Sequence, residues 1–220
     1  AYHDAIQSII GPEGTIVVST ASQNLCNTDI PFDLEKTKSF ERGEFSEYVR
    51  KLPRSHRSLH PFSSYAAHGA NAKYITSDVS KHAYGPETPN YRLEKLQSKF
   101  LFLGAPFNIN QSVHYVEHLM GVPYRYHKEF FHPIVSPENE IYFENFYQYV
   151  LYRKSDVKRS MNKRLFQAIE FDLGVIKQRF GRCWLSAYSL PLFFDLTVRE
   201  MKKDIYIWCE SLPLIRPYRS

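Results

Sequence analysis

The chain has 220 residues, 43% of them hydrophobic and 15% aromatic, which excludes a disordered composition and fits one domain, or one domain with a small appendage. No apolar run is long enough to cross a bilayer, no secretion signal opens the chain, and Cys26, Cys183 and Cys209 are too few and too far apart for a disulfide framework or a CxxC site, so a reducing cytoplasm is expected. The formal net charge of +5 favours anionic partners, although an excess this small also suits an ordinary solvated surface.

Helical spacing of Ala5, Ile6, Ile9 and Ile10 predicts a helix over Tyr2 to Ile10, stopped by Gly11-Pro12. A short buried strand follows over Gly14 to Thr20. Glu44 to Leu52 reads as a short helix closed by Pro53, Phe62 to Ala67 as a strand, and Ala70 to Tyr84 as mostly helical up to Gly85-Pro86. Asn90 to Gln97 is another short helix, Phe100 to Leu103 a strand, and Asn110 to Met120 a helix with Gly121 and Pro123 as stop signals. Tyr124 to Tyr152 is β-rich around a turn at Ser136 to Asn139. Asn162 to Phe171 is a helix candidate, Val175 to Ser186 a hairpin about Gly181, and Leu192 to Cys209 the clearest long amphipathic helix. The expected class is α/β: a central mixed sheet flanked by helices in a three-layer, sandwich-like arrangement.

Two stretches concentrate chemistry. In Arg57-Ser58-Leu59-His60-Pro61-Phe62-Ser63-Ser64 the proline disfavours helix at His60. A loop that gathers a guanidinium, hydroxyls and an imidazole suits an anion such as a pyrophosphate. The competing account is a surface ion pair at Arg57 and a His60 ring packed under Pro61. In Ser112 to His118, a helix places His114 and Glu117 on one face. A carboxylate there fixes the imidazole tautomer and raises its basicity; the competing account is a solvated ion pair. His56 with His60, and His114 with His118, have helical ligand spacing, yet no third ligand is identifiable, so no metal is expected. No phosphate-binding glycine loop, nucleophile elbow or activated cysteine is present. The aromatics of Tyr142 to Tyr152 beside Arg153-Lys154 have the makings of a base-stacking surface, but they read better as inward-facing strand residues, and no nucleic acid is expected.

In order and spacing these pieces resemble the aminoglycoside 3-N-acetyltransferase family. The matching segments are Gly14-Thr15 with the strand to Thr20, the Arg-Ser-x-His-Pro loop at Arg57 to Pro61, and Ser64-Tyr65-Ala66-Ala67-His68-Gly69. Gly85, Thr88-Pro89 and Leu93, then Phe102-Leu103-Gly104, and Ser112 to Glu117 in place of Thr-x-x-His-x-x-Glu complete the series. The resemblance implies one acetyltransferase domain over residues 1–220, N-terminally incomplete because an expected first strand and serine-bearing CoA loop do not occur in this sequence. It implies a cytoplasmic acyltransferase that moves acetyl from acetyl-CoA to an amino-sugar nitrogen, with His114 as general base and Glu117 as its orienting partner. Arg57, Ser58, His60, Ser64 and Ser112 would line the CoA site. The expected partners are CoA and a small amino sugar, without membrane insertion and with room for a homodimer. Two other functions stay open: acylation of an amino sugar on a nucleotide or lipid carrier in surface-polysaccharide synthesis, and a non-catalytic remnant that binds CoA or a partner.

Overall fold

In the computed structural model the described residues are 2–152 and 163–210. Helices α1 (Tyr2–Ile10), α2 (Glu44–Arg50), α3 (Ala72–Thr76), α4 (Pro89–Lys95), α5 (Val113–Met120), α6 (Lys163–Leu173) and α7 (Leu190–Lys203) are interspersed with strands. The strands are β1 (Thr15–Ser19), β2 (His56–Arg57), β3 (Tyr65–Gly69), β4 (Lys99–Leu103), β5 (Arg125–Val135), β6 (Ile141–Leu151), β7 (Ile176–Phe180) and β8 (Cys183–Ser189). The class is mixed α/β, with sheets flanked by helices. Contacts divide the chain into two compact units, Ala1–Arg92 with Lys128–Gln148, and Leu93–His127 with Tyr149–Ser220.

The first unit is built on an antiparallel sheet of order β1-β3-β2, in which Val17 faces Ala67 and Ala66 faces Arg57. The glycine of the Ser-Tyr-Ala-Ala-His-Gly segment ends β3. At Gly69 the backbone has φ +133°, and a Cβ there would lie 2.2 Å from the Gly14 carbonyl oxygen. Only glycine allows β1 to begin so close. The expected strand over Phe62 to Ala67 starts later, at Tyr65, because residues 58–64 form the loop that joins β2 to β3. Ser58 N–H donates to the Tyr65 carbonyl, and Tyr65 N–H donates back to Ser58 Oγ at 2.9 Å. Pro61 suits that loop, since it has no N–H to pair. Leu25, Phe32, Phe62, Ile134 and Phe146 form a buried cluster beside it.

The helix expected over Ala70 to Tyr84 is cut to α3. Ser77 is extended and Asp78 has φ +49°. The carbonyls that would continue the helix turn instead to Arg92, whose guanidinium donates to the Tyr74, Ser77 and Asp78 oxygens at 2.6, 2.5 and 3.0 Å. Periodicity in one segment cannot register a competitor that lies fourteen or more residues away.

In the second unit the antiparallel sheet has order β4-β8-β7. Phe100, Phe102 and Tyr188 point to one face, where Phe166 of α6 and Phe193 of α7 pack against them. The hairpin about Gly181 is as expected. The last long helix begins at Leu190, capped by Ser189 Oγ, and stops at Lys203 rather than at Cys209, because Asp204 turns extended. Asp204 then accepts from Tyr206 N–H and pairs with Arg164 at 2.8 Å, and the chain folds back through Trp208. β5 and β6 pair as a two-stranded ribbon closed by the Ser136 to Glu140 turn. No described helix is long and apolar enough to cross a membrane. The Arg153-Lys154 pair lies outside the described residues.

Candidate active site

Helix α5 follows β4 through a nine-residue connection, 104–112. Asn110 organises its start: Oδ1 accepts the Ser112 N–H at 2.8 Å, and Nδ2 donates to the Tyr188 hydroxyl at 2.9 Å. Ser112, at the N-cap, is buried and makes no side-chain cap bond. Gly121 ends the helix in the left-handed conformation, as a helix C-terminus commonly does.

His114 and Glu117 lie one turn apart and touch. Imidazole Nδ1 is 2.5 Å from Glu117 Oε2. Glu117 is fully buried, and the Tyr124 hydroxyl donates to its Oε1 at 2.8 Å. The Arg125 guanidinium approaches the same Oε2 through Nε at 2.8 Å. Burial would raise the Glu117 pKa, but the charge that His114 carries when protonated and the charge of Arg125, with hydrogen bonds from His114 and Tyr124, outweigh it and hold the carboxyl below its ordinary range. Burial and the neighbouring Glu117 charge push the Tyr124 phenol upward, so it stays a donor. An ionised carboxylate can only accept. The 2.5 Å contact therefore places the proton on Nδ1, and in the neutral ring the lone pair is on Nε2. The His114 side chain keeps 22% of its surface exposed, whereas its carboxylate partner keeps none. Such an arrangement can accept a proton from a bound group.

Arg125 is itself buried. One terminal nitrogen donates to the Tyr149 carbonyl at 3.2 Å, and the other faces His114 Nδ1 at 3.1 Å. Its guanidinium carbon lies 4.8 Å from the centre of the Trp208 ring, and that ring meets the His114 imidazole edge-on, with centroids 5.4 Å apart. Sequence reading missed Tyr124, Arg125, Tyr149 and Trp208. An arginine opening a strand directly after Pro123-Tyr124, a few residues past the His-x-x-Glu helix, was the only available signal.

The Arg57 to Ser64 loop lies in the first unit. Arg57 Nε donates to Thr20 Oγ1 and Ser64 Oγ, both at 3.2 Å. One terminal nitrogen reaches the Leu34 and Thr37 carbonyls at 3.3 and 2.6 Å; the other reaches the Thr20 carbonyl at 2.6 Å and Ser22 Oγ at 3.3 Å. Burial lowers its pKa to about 9. Ser64 Oγ donates to the Thr20 carbonyl at 2.8 Å. His60 is buried between Phe62 and Phe146, with neither ring nitrogen hydrogen-bonded to a protein side chain, and burial lowers its pKa to about 3. Beside this loop is a hollow of about 480 Å³ whose lining includes Arg50, Lys51, His56 and Arg57, with Glu35.

Comparison with known proteins agrees with this fold. The profile of the aminoglycoside 3-N-acetyltransferase family matches residues 1–202. Aminoglycoside N(3)-acetyltransferase III of Salmonella sp is 29% identical over 136 residues, covering 54% of this chain and 48% of the relative. Aminoglycoside N(3)-acetyltransferase IV of Salmonella sp is 32% identical over 123 residues, covering 55% and 46%. The chain thus spans about half the length of the curated relatives it matches. Among solved structures, AAC-IIIb in binary complex with CoASH superposes with a TM-score of 0.77 at 20% identity, covering 92% of this chain and 82% of that one. Sisomicin-bound AAC-VIa gives 0.78 at 17% identity, covering 92% and 84%. With the family profile matched over nearly all of its length, the chain belongs to the aminoglycoside 3-N-acetyltransferase family.

Proposed function

We propose that the chain carries the catalytic centre of an acetyl-CoA-dependent N-acetyltransferase whose acceptor is an amine of an aminoglycoside, at the 3-N position, or of a similar amino sugar. The observation that carries this reading is the buried, ionised Glu117 accepting the Nδ1 proton of a partly exposed His114. In the proposed reaction an amine nitrogen attacks the thioester carbonyl carbon. The C–N bond forms, the C–S bond breaks, and the nitrogen's proton passes to His114 Nε2 and then to the departing thiolate. Glu117 holds the ring in the tautomer that presents Nε2 and stabilises the transient imidazolium. General-base help of this kind contributes about a hundred to ten thousand-fold, and holding both substrates in place adds to it. No acyl-enzyme is required.

For the five residues expected at CoA, the side chains of Arg57, Ser58 and Ser64 bond to the protein's own backbone and hydroxyls, while His60 and Ser112 are buried. As side-chain phosphate ligands Arg57 and His60 do not fit. We therefore assign the loop a scaffolding part, with donors for an anion coming from the exposed Lys51, which lies 4.0 Å from Glu47, and from His56 in the hollow. That basic hollow and the net charge of +5 also support a second acceptor class, an amino sugar on an anionic nucleotide carrier.

The test is thiol release from acetyl-CoA with a panel of aminoglycosides and nucleotide-linked amino sugars. His114→Ala is expected to lower kcat/KM by about 10²–10⁴-fold with CoA affinity retained by calorimetry. A His114→Ala variant as active as the parent sinks the assignment. Turnover confined to nucleotide-linked sugars selects the second acceptor.

A further inference from the structure

The His114–Glu117 pair raises a problem that its own geometry does not solve. A buried carboxylate 2.5 Å from an imidazole favours the imidazolium. A base that is already protonated at neutral pH accepts nothing. We propose that Arg125 is the positioning residue that resolves this: its buried guanidinium balances Glu117, so that the imidazole stays neutral while the carboxylate remains charged.

Four contacts support the assignment. Arg125 Nε lies 2.8 Å from the same Glu117 oxygen that receives the imidazole proton, so it draws on the charge that would otherwise hold the imidazolium. A terminal nitrogen faces Nδ1 at 3.1 Å. Because Nδ1 carries a proton directed at Glu117, that nitrogen cannot act as a hydrogen-bond partner to the ring; it is a positive charge beside it and opposes a second proton. The guanidinium is also fixed in place, by the Tyr149 carbonyl at 3.2 Å and by the Trp208 ring at 4.8 Å. Arginine suits this position because its charge persists at every working pH and its planar fork reaches several partners at once.

The neighbouring Tyr124, Cys209, Tyr149 and Trp208 do not supply the balance. Tyr124 donates to Glu117 Oε1 and is neutral. The buried Cys209 thiol is pushed up to about 12 by burial, with the Glu117 charge adding to it, so it is neutral too. The Tyr149 hydroxyl donates to the Glu117 backbone carbonyl, and Trp208 offers an uncharged ring. On the same helix, His118 is engaged with His127 at 3.1 Å.

This inference rests on reading His114 as the base, and its test needs no acetyl transfer. The midpoint of the His114 imidazole is followed by NMR in the parent, Arg125→Gln, Arg125→Lys and Glu117→Gln. Arg125→Gln is expected to raise the midpoint by about 1–3 units, and Glu117→Gln to lower it. Arg125→Lys keeps the charge and is expected to stay within about half a unit of the parent. In the active enzyme the acid limb of kcat/KM against pH is expected to move with the midpoint. Near-UV circular dichroism verifies the fold; if Arg125→Gln does not fold, Arg125→Met supplies the uncharged state with an unbranched stem against Trp208. A neutral, folded variant whose imidazole titrates as in the parent, or lower, overturns the proposal. A parent without turnover on any substrate would refute the transferase reading, while the imidazole titration would still decide the part played by Arg125.

Discussion

Arg57 offers a sharp test because the sequence and the structure assign it different work. Replacing it with methionine keeps an unbranched stem against Phe32, whose ring centre lies 4.7 Å from the guanidinium carbon, and deletes every donor. The carbonyls of Thr20 and Thr37 lose their 2.6 Å partners, and Thr20 Oγ1, Ser64 Oγ, Ser22 Oγ and the Leu34 carbonyl lose longer ones. Hydrogen bonds to a charged group are worth about 1.5–3 kcal/mol each and are not additive. Against this, removing a buried cation relieves its desolvation, the cause that lowers its pKa to about 9. The losses outweigh the relief, because the guanidinium ties the ends of β1 and β2 to residues 34–37. A net destabilisation of about 3 kcal/mol is expected. For a chain of this length that corresponds to a fall in Tm of about 6–12 °C. Between about pH 6 and 8 the guanidinium is charged in folded and unfolded chains alike, so the loss should not depend on pH in that window. The assay pairs urea unfolding, followed by circular dichroism, with calorimetric titration of CoA into the folded variant. An unchanged urea midpoint together with a tenfold or greater loss of CoA affinity would refute the scaffold assignment and restore Arg57 as a direct phosphate ligand.

The buried His60 predicts acid sensitivity: its folded pKa is about 3 against an ordinary 6.5. As pH falls from 6.5 toward 3 the unfolded chain binds a proton that the folded chain does not, so stability falls by about 1.4 kcal/mol per pH unit in that window. His60→Leu should remove this component, and equal pH slopes of urea-derived stability in parent and variant would contradict it. Gly69→Ala places a Cβ 2.2 Å from the Gly14 carbonyl at φ +133°, and is expected to cost about 2–4 kcal/mol of stability; an alanine variant with the parent's urea midpoint would show that β1 and β3 part there without strain.

How far the site could be read in advance differs by residue. His114 and Glu117 were legible because a helix brings positions three apart onto one face, which is a local property of the chain. Their partners were not. Tyr124 and Arg125 follow the helix but reach back to it only because Gly121 reverses the chain in the left-handed conformation. Trp208 arrives from more than eighty residues away, after α7 ends at Asp204. The Arg-Ser-x-His-Pro loop was legible as a chemical cluster, but the direction of its side chains was not. A guanidinium bonds equally well to phosphate oxygens or to backbone carbonyls, and only the pairing of β2 with β3 and the position of residues 20–37 decide which.

By itself, then, the amino-acid sequence determined the order and type of most elements, the ordered series of family segments from Gly14 to Glu117, and the His114–Glu117 spacing. These all depend on local periodicity, turn residues and short-range geometry. Tertiary structure alone decided where helices stop, as when Arg92 captures the carbonyls that would extend α3. It also decided that the Arg57 loop turns inward and that Arg125 lies beside both His114 and Glu117. Hydrogen-bond donors and charges are satisfied by whatever the folded chain brings within about 3 Å, and no local pattern encodes which distant atom that will be.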